Sequence, residues 1–479
     1  MLIMIYNKTK KSRKTKFKNK WGKMHKFTKI IASIGPKCED KKTLTKMIEA
    51  GIDLCRLNFS HDTGKVQGKK IDLIRNISEK LNVPIGIIID LQGPKHRIGD
   101  FKTEDKYPLK IGQKFIFDSA SKLGDSTRVQ LPDSDVLNSL KAGDRILLND
   151  GKIEMVVDSA SPGKVEARVL RGTEIWSRRG FNLPDTEIST SVLTEKDKKD
   201  LEYALTKNPD WVAISFVQKP EDIAEVRDFI VARTSHPVKI IAKIERPNAV
   251  ERITEIASVA DGIMIARGDL AVEVPFEKMP AISRHIIREC RKMNKPVIMA
   301  TQMLGSMVNS EFPTRAEITD VANTAYLRAD SAMTSEETTI GVNPVNVIET
   351  MSKILEYADC DVIANPYEWS RVENIPENDW SRSVASMAHL NKASAIVVFA
   401  RDIDIATQIS CRKPEIPIIA VCRERLIANQ LCLIRGVAPI YDEDLFAKKD
   451  AFNSARLFGV NCGKLVIVDE DKISLRTLD

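Results

Sequence analysis

The chain has 479 residues, of which 43% are hydrophobic and 29% charged, enough to bury a sizeable core and too many for one ordinary domain. No run approaches the roughly 18 apolar residues of a membrane span, and 22 Gly with 21 Pro exclude a fibrous or low-complexity chain. The net charge of +7 is concentrated at the start: residues 1–29 hold eleven Lys/Arg and no acid, so the rest is mildly acidic, which is poor support for a nucleic-acid binder; a cytoplasmic-type globular protein is expected.

Residues 1–24 read as a basic, solvated, disordered leader, with Met24 as a second candidate start. Short apolar runs of strand length then alternate with amphipathic stretches: Lys29–Ile34, Ile52–Phe59, Pro84–Leu91, Trp211–Val217, Lys239–Glu245, Gly262–Arg267, Pro296–Thr301 and Ala329–Thr334. Eight such βα units predict a (β/α)8 barrel. About 100 residues separate the third run from the fourth, too many for a loop. Within them, short alternating strands such as Lys114–Phe117, Arg145–Gly151, Ile153–Val157 and Val165–Val169 predict an inserted small β-barrel domain placed as a lid over the rim. The barrel is therefore expected from 25–96 and 187–364, the insert from 97–186, and an α/β domain from 365–479. That last domain opens on a polar linker and carries four strands, at Ala395–Phe399, Ile416–Val421, Val437–Tyr441 and Lys464–Val468.

Eight cysteines without a C-x-x-C pair predict reduced, mostly buried thiols, and six histidines lack zinc-ligand spacing. Polar residues of reactive type close the barrel runs, on the edge where such barrels keep their chemistry. Run two ends in Arg56-Leu-Asn58-Phe-Ser60 and His61, run three in Asp90 with Lys95 and Arg97 beyond, run five in Lys243-Ile-Glu245, run six in Arg267-Gly268-Asp269 and run seven in Thr301. Two hard carboxylates, Glu245 and Asp269, that leave most of a coordination sphere open suit Mg²⁺ or Mn²⁺. Surrounding Lys and Arg favour a phosphate- or carboxylate-bearing substrate, so the chemistry is phosphoryl transfer or enolate chemistry on a small anion.

The segments Thr28–Pro36, Ala50–His61, Asp90–Pro94, Lys243–Glu245, Asp261–Leu270, Met299–Leu304 and Pro313–Asn323 together resemble the motifs of the pyruvate kinase family, in order, over residues 27–470. The resemblance implies transfer of a phosphoryl group from phosphoenolpyruvate to ADP, giving pyruvate and ATP, with Mg²⁺ (or Mn²⁺), in a cytoplasmic homotetramer. It assigns Lys243, Thr301 and Arg56 to catalysis and Glu245 and Asp269 to the metal. Arg56, Gly268, Asp269 and Thr301 fall to the substrate, and Asn58, His61 and Arg97 to the nucleotide and phosphates. K⁺-requiring members carry Thr and Glu where this chain has Leu91 and Lys95. In the monovalent-cation region of Asn58, Ser60, Asp90, Leu91 and Lys95, the Lys95 ammonium is expected to replace K⁺, which is then not required. The chain departs from the family at His96, Arg328, Glu336 and Ile340. Its loop Ala400–Ile405 lacks the glycine and hydroxyls that cradle a sugar phosphate and places Asp402 and Asp404 there instead, so activation by fructose 1,6-bisphosphate through that loop is not expected.

Overall fold

The computed structural model describes residues 26–186, 188, 190–365, 380–470 and 472–478. The basic leader and all of the linker but Asn365 lie outside these residues. Eight parallel strands close a barrel: β1 (Lys29–Ser33), β2 (Leu54–Asn58), β3 (Gly86–Asp90), β12 (Trp211–Ile214), β13 (Lys239–Ile244), β14 (Gly262–Ala266), β15 (Val297–Ala300) and β16 (Ser331–Thr334). Each expected run contains one of them, up to three residues shorter at the ends. The runs are continuous rather than alternating because both faces are buried. Ile31, Leu54, Ile88, Trp211 and Ile241 fill the interior, while Ile30, Leu57, Ile87, Val212 and Ile240 pack outward under the helices.

Between β3 and β12 the chain builds β4 (Tyr107–Pro108), β5 (Lys114–Asp118), β6 (Arg128–Gln130), β7 (Arg145–Leu148), β8 (Ile153–Ser161), β9 (Lys164–Arg171), β10 (Glu174–Ile175) and β11 (Phe181–Asn182). They hydrogen-bond as a six-stranded sheet, β11-β7-β8-β9-β5-β6, beside the pair β10-β4. The ladder among the described residues is therefore not a closed ring, although the insert buries a core of its own around Phe115, Phe117 and Met155. Alternation decides which residues go in: Phe115, Phe117, Ile153, Met155, Val165 and Ala167 are buried, their neighbours less so. β3 nevertheless pairs directly with β12, Ile88 opposite Trp211, across the whole insertion.

The last sheet has the order β19-β18-β17-β20-β21, with β17 (Ala395–Ala400), β18 (Ile418–Cys422), β19 (Val437–Tyr441), β20 (Gly463–Asp469) and β21 (Lys472–Leu478). Four of these were expected. The fifth corrects the sequence reading: Lys472–Leu478 turns back antiparallel on β20 and lays Ile473 and Leu475 on the core. This domain plugs the barrel floor. Its helix Arg425–Leu431 comes so close that a Cβ on Gly86 would stand 2.8 Å from the Asn429 carbonyl, a position open only to glycine. Arg435 clasps the two ends of the barrel chain. One guanidinium nitrogen bonds Thr28 and another bonds Asp359 at 2.5 Å. Asp359 also accepts the N–H groups of Phe27 and Thr28, and Gly436 N–H reaches Phe27 O. All eight cysteines are free thiols. No helix among the described residues is long and apolar enough to cross a membrane.

Candidate active site

The C-terminal ends of β2, β3, β12 and β13 bring the central cluster together. Register sets it: Arg56 lies opposite Ile88, Asn58 opposite Asp90, and Asp90 opposite Ala213. Asp90, 1% exposed, divides its oxygens between two cations, Oδ2 to Arg56 Nε at 2.6 Å and Oδ1 to Lys243 Nζ at 3.2 Å. Burial opposes the charge of Asp90, but the two cations outweigh it and hold the carboxyl below its ordinary value. Arg56 is pinned a second time, by Ser33 Oγ at 2.8 Å. Lys243 Nζ also meets Glu245 Oε1 at 3.0 Å and donates to Ser215 Oγ at 2.6 Å. Burial works against this ammonium as well, yet Asp90 and Glu245 raise it above the usual lysine value, so it stays charged.

Glu245 accepts the Phe216 N–H on its other oxygen at 2.8 Å. Burial, and then Asp269, push its carboxyl up against the pull of Lys243. Asp269 Oδ1 is 3.3 Å from Lys95 Nζ. Each member of the carboxylate pair thus faces a lysine ammonium. Among the described residues no group of three or more His, Cys, Asp or Glu is disposed to hold a metal ion. Glu245 and Asp269 fit a hard divalent cation that takes its remaining ligands from substrate and water.

β14 and β15 supply the neighbouring wall. Thr301 and Gln302 follow β15 with φ of +68° and +55°, a left-handed pair that turns the Thr301 side chain back toward β14. There its Oγ1 accepts the Gly268 N–H at 2.7 Å. The Gly268 amide expected to face a substrate carboxylate is therefore bonded to Thr301, which makes these two residues one unit. Arg267 does not join the cluster. Its guanidinium is spent on Ala300 O, Thr301 O and Asp320 Oδ1, which fixes the loop that carries Thr301.

Sequence reasoning missed two residues. Ser215, 2% exposed, bridges Lys243 to Leu91 O at 2.7 Å; a lone serine in an apolar run gives little signal. Asp197 takes the Gln92 and Gly93 N–H groups at 2.9 and 3.2 Å, anchoring the loop that leads to Lys95. Gly93 is required there: its φ is +68° and a Cβ would stand 2.9 Å from Ser215 Cβ.

The remaining expected residues stand apart. Asn58 Oδ1 accepts the Ser60 N–H at 3.0 Å, Ser60 and His61 are exposed, and Leu91 is core. Arg97 is exposed on the insert, bridged to Gly180 and bonded to Arg178 O at 3.0 Å. Among the described residues none of these side chains bonds the Lys243 cluster, nor does Lys95 bond Asn58, Ser60 or Asp90. His96, beside Lys95, pairs through Nδ1 with Asp133 Oδ2 at 2.8 Å and lines a cleft between insert and barrel with Phe216, Arg246 and Glu273. Glu336 and Ile340 are exposed, away from any contact with the cluster. In the last domain, Asp402 Oδ1 accepts the Asp404 N–H at 2.8 Å, and Arg401 pairs with Glu470.

Residues 25–348 match the family description "Pyruvate kinase, barrel domain", and residues 378–471 match "Pyruvate kinase, alpha/beta domain". A pyruvate kinase of Methylorubrum extorquens is 39% identical over 437 residues, 90% of each chain. Pyruvate kinase 2 of Synechocystis is 38% identical over 431 residues, 89% of this chain and 73% of that one. The crystal structure of a pyruvate kinase from Cryptosporidium parvum superposes with a TM-score of 0.88 at 29% identity, covering 97% of this chain and 98% of that one.

Proposed function

Because the chain belongs to the pyruvate kinase family and performs that family's glycolytic phosphotransfer, from phosphoenolpyruvate to ADP to give pyruvate and ATP, we propose a division of labour among its rim residues. The observation that carries it is the Lys243 ammonium, held between Asp90 and Glu245 at the edge of the Glu245–Asp269 pair. Glu245 and Asp269 hold Mg²⁺ or Mn²⁺, the ion the family uses, and that ion when bound compensates charge on phosphoryl and enolate oxygens. Lys243 donates to the phosphoryl group as its bond to the enolate oxygen breaks and its bond to the ADP oxygen forms. The ammonium is fixed beforehand, so little reorganisation opposes the step. Arg56, pinned by Asp90 and Ser33, grips the phosphate. Gly268 and Asp269 orient the substrate carboxylate, the Gly268 N–H exchanging its bond to Thr301 Oγ1 for one to the substrate, and Thr301 serves both that carboxylate and the relay that delivers a proton to the enolate carbon. Asn58 and His61, from the barrel, and Arg97, which closure of the insert would bring toward the rim, take the nucleotide side.

Lys95 supplies a permanent positive charge beside the metal carboxylates in place of K⁺. Residues 25–96 with 187–364, 97–186 and 365–479 act as barrel, lid and C-terminal domain, in a cytoplasmic homotetramer. The test is pyruvate formation from phosphoenolpyruvate and ADP with Mg²⁺, with and without K⁺, in wild type and Lys243→Met. Mg²⁺-dependent, K⁺-indifferent activity lost in the variant supports the reading; activity retained by the variant overturns the role of Lys243.

A further inference from the structure

The barrel floor, opposite the catalytic rim, carries cations that the reaction does not use. Arg328 lies in the turn between the helix Arg315–Tyr326 and β16 with φ of +57°, a conformation glycine adopts freely and longer residues adopt at a cost. Its side chain runs into the seam between the barrel and the C-terminal domain. The residue is 5% exposed, yet Nε and Nη2 have no hydrogen-bond partner. Arg291, from the end of the helix Met279–Lys292, also leaves its Nη2 unpartnered, while its Nε reaches Cys411 O at 3.4 Å. The surrounding groups are already engaged. Arg435 is bonded to Thr28 and Asp359, Lys413 to Asp330 at 3.1 Å, and Arg412 to Ser381 Oγ and Asn294 Oδ1 at 2.9 and 2.6 Å.

Cations therefore outnumber carboxylates in the seam. Arg291, Arg328, Arg412, Arg435 and Lys413 face Asp330, Asp359 and Glu415. Burial first, then Arg291 and Arg435, bring the Arg328 guanidinium down to about 10. A buried guanidinium without a partner is unfavourable unless an anion completes it. One edge of Arg328 and one nitrogen of Arg291 offer three donors, which suit the three oxygens of a phosphate group better than the two of a carboxylate. Arg291, Arg412 and Glu415 are half-buried, so the seam opens to solvent on their side.

We propose that this seam is a second binding site, for a dianionic phosphate group held by Arg328 and Arg291, distinct from the site of phosphotransfer. The site ties the barrel floor to the C-terminal domain, because its donors come from one and its screening carboxylates from both.

The test is calorimetric titration of the full-length protein with inorganic phosphate, in wild type, Arg328→Gly and Arg291→Met. Glycine accepts the backbone at 328, so that variant stays folded, melts no lower than wild type without phosphate, and keeps its phosphotransfer rate. Wild type is expected to bind one phosphate more than Arg328→Gly, or to bind it at least about tenfold more tightly, as the loss of charge-assisted hydrogen bonds requires, with Arg291→Met weakened as well. Glycerol 3-phosphate serves as a second probe: competition for the Arg328-dependent site assigns it to phosphate monoesters, and lack of competition assigns it to the free ion. Phosphate bound equally by wild type and both variants, or not bound at millimolar concentration, overturns the proposal.

Discussion

Replacing Lys243 by Met removes one positive charge from the place where the proposed mechanism has the phosphoryl group cross and keeps a side chain of similar length. That charge lies 3.0 Å from Glu245 Oε1 and 3.2 Å from Asp90 Oδ1. At an effective dielectric constant of about 20, a unit pair at 3.0 Å attracts by about 5 kcal/mol, and desolvation of both partners offsets much of this in the resting site. The transition state then adds negative charge that a preorganised ammonium meets without reorganising. A donor of this kind is worth about 3 to 4 kcal/mol, so kcat is expected to fall about 10²- to 10³-fold. Divalent-ion binding moves the other way. Glu245 and Asp269 lose a neighbouring cation, so Mn²⁺ meets a more negative pair and binds more tightly, by about tenfold. A coupled assay of pyruvate formation gives kcat, calorimetry gives Mn²⁺ affinity, and circular dichroism checks the fold. A kcat within tenfold of wild type refutes the reasoning. So does Mn²⁺ affinity that falls in step with kcat, since Lys243 would then be holding the site together rather than compensating the moving charge.

Activity in K⁺ is expected to match that in tetramethylammonium within about twofold, because Lys95 is a fixed cation; a many-fold rise in K⁺ contradicts this, and Lys95→Glu should create such a rise. Asp90→Asn breaks a buried pair and is expected to cost about 3 kcal/mol, read from urea midpoints. The Asp90 carboxyl is depressed in the folded state by Arg56 and Lys243, which outweigh burial. Its stabilisation is therefore complete above about pH 4 and is lost as pH falls through the folded value. The deficit of the variant should be constant from neutral pH down to about 5 and shrink below about 4; a deficit that grows on acidification counts against the pairing. Thr301→Ala removes the acceptor for the Gly268 N–H and is expected to lower kcat at least about tenfold. Its melting temperature should move only a few degrees, because the change also relieves a β-branched residue at positive φ. An unchanged kcat would remove Thr301 from the reaction.

The barrel was legible because strands buried on both faces cannot hide: Gly86–Asp90 and Gly262–Ala266 are apolar through four or five residues, and the residue type changes abruptly where the rim begins. The charged residues of the rim were legible for the same reason, since a Lys, Arg, Asp or Glu that closes an apolar run interrupts it visibly. β21 was harder to see. An edge strand needs only one covered face, and Lys472, Ser474 and Arg476 on its other side mask Ile473 and Leu475. Partnerships were least legible. Arg267 and Arg56 look alike in sequence, yet Asp320 draws one into loop support and Asp90 fixes the other in the site. Ser215 acquires its importance only from a lysine 28 positions later. Arg328 was visible as a departure, but its orphaned nitrogens depend on how two domains meet.

The Arg435 clasp also sets an order on synthesis. The chain emerges from the ribosome N-terminus first, so β16 and the helix bearing Asp359 are both available well before Arg435 and Gly436. Until those two arrive, Asp359 has Phe27 and Thr28 but no counter-charge from Arg435, and Ile31, Leu54 and Ile88 line a floor with no domain beneath it. On this order the nascent barrel has an apolar underside not yet covered, and its chain ends are joined through Asp359 without the Arg435 counter-charge. Its final fastening waits on the last tenth of the polypeptide, and a chain released early would leave that underside as a surface for aggregation or for a chaperone.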